Sequence, residues 1–185
     1  MCRFISLAIA IGLLSAPTTS KHLSVVRSQS LVVKQAVSDL RLLMQKTQKI
    51  RATVLGWIRH GDRVFVAEGY DSGRQCPFYR ALGGGIEFGE TSLDALKREF
   101  MEEIQAELIN IQHLCCIENL FTFEGNPGHE IIQLYECEFA DPTFYQLEHV
   151  TVYEGKSEGV AYWIDRDRFK SGELRLVPEL CLNYL

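Results

Sequence analysis

Gly84-Gly85-Ile86-Glu87-Phe88-Gly89-Glu90, followed after seven residues by Arg98-Glu99-Phe100-Met101-Glu102-Glu103, is the stretch on which the reading of this chain turns. Three carboxylates, Glu99, Glu102 and Glu103, fall within five positions. On a helix, positions three and four residues apart share a face, so Glu102 and Glu103 lie beside Glu99. Like charges at those spacings weaken a helix. A divalent cation converts the repulsion into coordination, and carboxylate and carbonyl oxygens suit the hard ions Mg²⁺ and Mn²⁺. The run therefore reads as a hard-metal site on a helix entered from a glycine-rich loop.

Independent signals place a helix here. Leu93, Leu96, Phe100 and Ile104 recur at helical spacing and predict one apolar stripe, with the acids lying off it. Thr91 or Ser92 suits the N-cap, and Asp94 suits the first turn. Arg98 stands eight residues after Glu90 and four before Glu102. It is placed to pair with Glu90 bidentately and hold the loop against the helix, which lysine would do poorly. Gly84, Gly85 and Gly89 allow the backbone to approach a ligand and to turn where other residues cannot.

These residues in this register resemble the Nudix box: a glycine, five residues, a glutamate, seven residues, then Arg-Glu-hydrophobic-any-Glu-Glu-any-Gly-hydrophobic. Gly84, Glu90, Arg98, Glu99, Phe100, Glu102 and Glu103 match it. Gln105 stands in place of the usual glycine, and Ala106 is a small last hydrophobic residue, a departure that bears on how the helix ends. The resemblance covers residues 48–185 and is specific at the box. It implies an α/β fold, an α/β/α sandwich with a mixed sheet. It also implies a divalent-metal-dependent hydrolase that cleaves the pyrophosphate linkage of a nucleoside diphosphate joined to another moiety, X. By the same resemblance Glu99, Glu102, Glu103 and the Gly84 carbonyl are the metal ligands, with Mg²⁺ the cofactor and Mn²⁺ its substitute. Arg98 and Glu90 complete the catalytic set. The water-activating base is Glu99 or Glu103, or an acid of a later loop, for which Glu154 and Glu158 are candidates. The partner implied is a small-molecule nucleotide, and a homodimer is common in the family. The alternative from another class is a catalytically silent Nudix-fold module that binds a nucleotide or regulates. The intact Arg98-Glu99 and Glu102-Glu103 argue against it.

Charge is unevenly placed along the 185 residues. Residues 1–50 carry seven Lys/Arg and one acid, a net +6. The remaining 135 hold 12 basic and 23 acidic residues, a net −11. Such a domain does not seek nucleic acid as a bulk polyanion. Residues 1–47 read as an N-terminal extension to a domain spanning 48–185. Within the extension, residues 4–16 are apolar behind Arg3, like the core of a signal peptide, but too short for a membrane span. Residues 20–49 are basic and almost free of acids, like an organellar transit peptide. Residues 31–44 offer an imperfect amphipathic helix, and a start at Met44 is a further reading. The expected location is cytoplasmic, with export or an organelle reached through residues 1–43 as the alternative. The six cysteines contain no C-x-x-C pair, which argues against structural zinc and for free thiols.

From residue 49 the pattern predicts strands over 52–59 and 63–68 around a turn at 60–62, a polar loop at 69–75, and a segment 78–82 leading to the glycine loop. A short strand is expected at 86–88, then the helix. Strand signals follow over 108–123 and 129–139, separated by a turn at 124–128, and again over 159–165. A short helix at 166–172 and a closing helix at 178–185 complete the order. Arg74 and Arg80 flank the glycine loop and are weaker candidates to meet a phosphate. His129 is a candidate substrate contact, and Phe78, Tyr79 and Trp163 are candidates to stack a base.

Overall fold

The computed structural model describes residues 33–35, 38, 49–155 and 157–185. Val33, Lys34, Gln35 and Ser38 are helical. Apart from these four positions, the readings of the extension as signal, transit segment, amphipathic helix or untranslated leader lie outside the described residues. The chain divides into two units, Met1–Thr47 and Gln48–Leu185. Among the described residues no helix is long and apolar enough to cross a membrane.

Two sheets form the centre of the second unit. One is mixed: β1 (Ile50–Trp57) runs parallel to β6 (Asn126–Phe139), which pairs antiparallel with β5 (Leu108–Phe123). The other is antiparallel, in the order β2 (Arg59–His60), β3 (Arg63–Asp71), β8 (Ser157–Asp165), β7 (His149–Glu154), with β4 (Cys76–Arg80) also paired to β3. Side chains alternate across a strand, so each strand feeds two cores. Val54 of β1, Ile58 just after it, Phe65 of β3 and Trp163 of β8 pack with Leu96 and Phe100 of helix α1 (Ser92–Ile104). Leu55 and Trp57, Val64 and Val66, and Ile164 face the opposite way. There they meet Phe169 of helix α2 (Arg166–Lys170), Leu176 and Cys181. Helical layers thus cover both faces, which is the α/β/α sandwich with a mixed sheet.

The α1 core shows how sequence sets this packing. Phe100 is fully buried, which contributes about 2–3 kcal/mol. Its ring lies against Gly56 of β1, where a Cβ would come within 2.7 Å of the ring edge. Gly56 therefore sets how closely the helix approaches the sheet.

Several local expectations are corrected. Leu93 is exposed, and the buried face of α1 is instead Ala95, Leu96, Phe100, Glu103 and Ile104. Glu103 therefore lies within the buried face and not off it. Residues 69–71 extend β3, leaving only 72–75 as the turn. The hairpin after β5 is tighter than expected. Glu124 and Gly125 both have positive φ, 51° and 78°, while residues 126–128 already belong to β6. No strand forms at 86–88. Antiparallel bridges from Gly85 to Thr53 and from Leu82 to Gly56 tie the loop to β1 instead. The closing helix is 3₁₀, Glu179–Tyr184, pinned by Trp57 Nε1 donating to the Tyr184 carbonyl at 3.2 Å. Residues 149–154, which include Glu154 expected in a loop, form β7. Val150 and Val152 alternate inward, and Gly155 makes the turn at φ 61°.

Candidate active site

The glycine loop is fixed by backbone bonds to β1. Val54 N–H donates to the Gly84 carbonyl at 2.9 Å, and Ile86 N–H donates to the Ala52 carbonyl at 3.0 Å. At Gly83 (φ 130°) a Cβ would lie 2.2 Å from the Val54 carbonyl, so only glycine fits. Gly84 carries the Glu99 carboxylate directly above it: a Cβ there would sit 2.3 Å from the Glu99 carboxyl carbon. The spacing from Gly84 to Glu99 in sequence is thus a spatial contact in the fold.

Helix α1 begins at Thr91, whose Oγ1 accepts from Asp94 N–H at 3.2 Å. It ends at Gln105, which adopts the left-handed conformation (φ 55°, ψ 36°). Gln105 N–H returns to the Met101 carbonyl at 3.1 Å, and Ala106 N–H to the Phe100 carbonyl at 3.2 Å. A glycine occupies such a position without the Cβ penalty, so glutamine keeps the helix end at a cost in strain. Ala106, small though it is, is buried in the α1 core.

Arg98 is the hub. Its Nε donates to Glu90 Oε1 at 2.8 Å and its Nη2 to Glu90 Oε2 at 3.0 Å, the bidentate pair expected from the spacing. Nη2 also donates to the Gly85 carbonyl at 3.0 Å. Nη1 reaches Glu99 Oε1 at 3.0 Å and Glu102 Oε2 at 3.2 Å. Glu90 is further held by Glu87 N–H at 3.1 Å. These contacts hold the Glu90 carboxyl below its ordinary range, the Arg98 bonds contributing most. The same ion pairs raise the affinity of Arg98 for its proton.

Glu103 lies on the inner side of the cluster. Its Oε2 is buried and has no hydrogen-bond partner. Burial first, then the charges of Glu99 and Glu154, push its pKa up to about 7, against a Gly83 backbone hydrogen bond and the charge of Arg80, which lower it. The charge of Glu154 therefore acts on Glu103 from the end of strand β7, not from a loop. Glu158 is likewise not a loop residue; it lies in β8 opposite Tyr153. Glu102 is largely exposed beside Arg98.

The donor chemistry suits a hard divalent cation, and the partnerless buried oxygen of Glu103 is what such an ion would satisfy. Among the described residues no three His, Cys, Asp or Glu side chains are gathered as a ready-made metal cluster. The reason is visible in the geometry: Arg98 holds Glu99 and Glu102.

The weaker candidates divide. Arg74, Arg80 and Phe78 line a cavity of about 530 Å³ between β4, β5 and the segment after α2. Tyr79 and Trp163 do not reach it. Tyr79 is buried with its hydroxyl on Glu68 at 3.1 Å, and Trp163 is core, with Nε1 on the Phe144 carbonyl at 2.9 Å. His129 Nε2 lies 3.0 Å from Glu118 Oε1, across the β5–β6 pair. The sequence reading missed Arg51, Asp71, Glu130 and Arg175, which line the same cavity. They come from four separate segments, and no local spacing links them.

A glycine loop clamped by arginine onto a carboxylate-bearing helix, within a sheet covered on both faces, defines a class of phosphoanhydride hydrolase. The chain belongs to the NUDIX domain family, whose model matches residues 49–177. It is a Nudix hydrolase, of a family of pyrophosphate-cleaving enzymes that generally use divalent metal ions. Among solved structures it is similar to a MutT NUDIX hydrolase from Burkholderia pseudomallei at 19% identity. That match covers 65% of this chain and 86% of that one, with a TM-score of 0.50. It is also similar to the E. coli ORF135 protein (16% identity, 74% and 89% covered, TM-score 0.51). A NUDIX hydrolase from Nitrosomonas europaea is comparable (16%, 73% and 85%, TM-score 0.51). At these identities the likeness is one of fold. No curated protein matches the chain significantly in sequence.

Proposed function

We propose that residues 48–185 form a Mg²⁺-dependent hydrolase acting on a nucleoside diphosphate linked to X, with Mn²⁺ as a substitute metal. The observation that carries this reading is the buried, partnerless Oε2 of Glu103 beside the Gly83–Gly84 turn on which Glu99 rests. Glu99, Glu102, Glu103 and the Gly84 carbonyl would hold the metal. When bound, it offsets the negative charge that builds on the phosphate oxygens.

The chain's own residues supply the rest. Arg98 and Glu90 fix the loop so that the Gly84 backbone and the Glu99 carboxylate keep their separation. The base that takes the proton from the attacking water is whichever of Glu99 and Glu103 the metal leaves free. Glu154 is a further candidate base, because its charge acts on Glu103. Water adds to one phosphorus and the bridging P–O bond breaks. Two phosphorylated fragments leave, and the water's proton passes to the carboxylate and then to solvent. A homodimer is the proposed assembly, to be checked by light scattering of the full chain.

The test is product mass and phosphate release from a panel of nucleoside-diphosphate compounds, with and without Mg²⁺. Glu102→Gln is expected to lower the rate at least about a hundredfold while the fold persists, since it removes charge at nearly constant volume. A rate unchanged by Glu102→Gln at saturating Mg²⁺ would refute its assignment.

A further inference from the structure

The 530 Å³ cavity is built unlike a plain apolar base pocket. It holds two buried carboxylates, each set between two arginines. Asp71, 2% exposed, lies 3.7 Å from Arg74 Nε and 3.9 Å from Arg175 Nη1. Glu130, 4% exposed, lies 3.6 Å from Arg51 Nη1 and 4.0 Å from Arg80 Nη2. These distances are too long for hydrogen bonds, so the acids position the guanidinium groups without saturating them. The side chains of the four arginines make no hydrogen bond to any described residue, and Arg80 Nη2 is buried without a hydrogen-bond partner. Each group of three carries a net positive charge, with its donors left free.

The two groups sit at opposite ends of β4. Arg80 is its last residue, on the side of Glu103, whereas Asp71 pairs with Cys76, its first. Four residues of strand separate these levels by about 13 Å, and arginine side chains reach inward from both. A compact cavity of this volume is about 10 Å across. Between the ends lies an aromatic pair, Phe78 and Phe123, edge to face at 5.8 Å. Phe78 lies flat over Gly69 of β3, where a Cβ would fall 2.4 Å from the ring. The backbone of residues 175–177 pairs with Tyr79 (Tyr79 N–H to the Arg175 carbonyl, 2.8 Å), which places Arg175 at the cavity wall.

From this arrangement we infer that the substrate is a nucleoside-diphosphate derivative carrying a second phosphate remote from the pyrophosphate. That phosphate binds to Arg74 and Arg175, the base packs against Phe78 and Phe123, and Arg80 and Arg51 face the pyrophosphate end. The inference deepens the hydrolase reading and rests on it for the placement of the pyrophosphate. Arg74 and Arg175 are specificity-determining residues on this account.

The test uses chemical pairs that differ by one phosphate: NADP⁺ against NAD⁺, and coenzyme A against dephospho-coenzyme A. Each is titrated calorimetrically into the full chain in Mg²⁺-free buffer. The phosphorylated member of at least one pair is expected to bind tenfold or more tightly. Arg74→Gln keeps Asp71 paired with Arg175, so the fold is retained. It should weaken binding of the phosphorylated member at least fivefold more than binding of the unphosphorylated one. Equal affinities within both pairs, a preference untouched by Arg74→Gln and by Arg175→Gln, or no binding of any of the four overturns the inference. Hydrolysis with Mg²⁺ is read separately by product mass. Turnover without phosphate preference sinks this inference and leaves the hydrolase reading standing. Preferential binding with no turnover of any nucleoside diphosphate sinks the hydrolase reading alone.

Discussion

Glu103→Gln in the metal-free protein isolates the electrostatic cost stored at the site. Glu103 has an ordinary pKa of 4.5 and one raised to about 7 in the fold, chiefly because burial disfavours its charge. Between these values the folded state binds more protons than the unfolded state, so stability falls as pH rises. The contribution is fully present below pH 4.5 and is lost as pH passes through about 7. A shift from 4.5 to about 7, at about 1.4 kcal/mol per pH unit, sets an upper value of ~3 kcal/mol above pH 8. Glutamine matches the neutral acid in shape and can still accept the Gly83 N–H. The difference in unfolding free energy between wild type and Glu103→Gln should therefore be near zero at pH 4.5. It should grow to ~3 kcal/mol in favour of the variant at pH 8. Urea unfolding at intervals from pH 4.5 to 8.5 in chelator, followed by fluorescence of the buried Trp57 and Trp163, reads it directly. Adding Mg²⁺ should reverse the order, since the ion stabilises only the carboxylate form. Parallel pH profiles for the two proteins without metal would refute the burial argument.

Two further changes probe the same architecture. Arg98→Lys keeps the charge but loses the bidentate Glu90 pair and the Gly85 contact. The loop should loosen, and kcat/KM should fall at least about tenfold with a smaller change in Tm. A kcat/KM within twofold of wild type would show that the clamp does not position the site. Gln105→Gly relieves the left-handed strain at the helix end, about 1–2 kcal/mol, against about 0.4–1 kcal/mol of added freedom in the unfolded chain. A net gain of about 0.5–1 kcal/mol in denaturant unfolding is expected, and a loss would mean that Gln105 makes a compensating interaction.

Much of the site was legible before the fold was known because its parts are close in sequence. The pairing of Arg98 with Glu90 follows from a helix of known pitch meeting a loop of fixed length. The glycines follow from the backbone approaching β1 and Glu99. The strands of strong alternation, 108–123 and 129–139, were also visible, although their hairpin was placed too broadly and the second strand begins at Asn126. Strand β7 went unrecognised because its two inward valines lie among exposed polar residues, so the apolar signal is brief. Leu93 suited the stripe by spacing, but it is exposed, and the buried face of α1 runs instead through Ala95, Leu96, Phe100 and Ile104.

What tertiary structure alone decided is the state and company of each side chain. Sequence assigned Glu103 to the acidic face. Packing against the sheet made it the buried acid, with the charge of Glu154 brought to bear on it from 51 residues away. Sequence pointed to Arg74 and Arg80 one at a time. Only the pairing of β4 with β3, and of β6 with β1, set them with Arg175 and Arg51 around two buried carboxylates in one cavity. The sequence by itself determined the chemistry of the helix and loop, because covalent spacing and helical pitch fix neighbours within about two turns. It did not determine the cavity lined by those four arginines. Long-range strand pairing gathers those residues, and no local periodicity encodes such pairing.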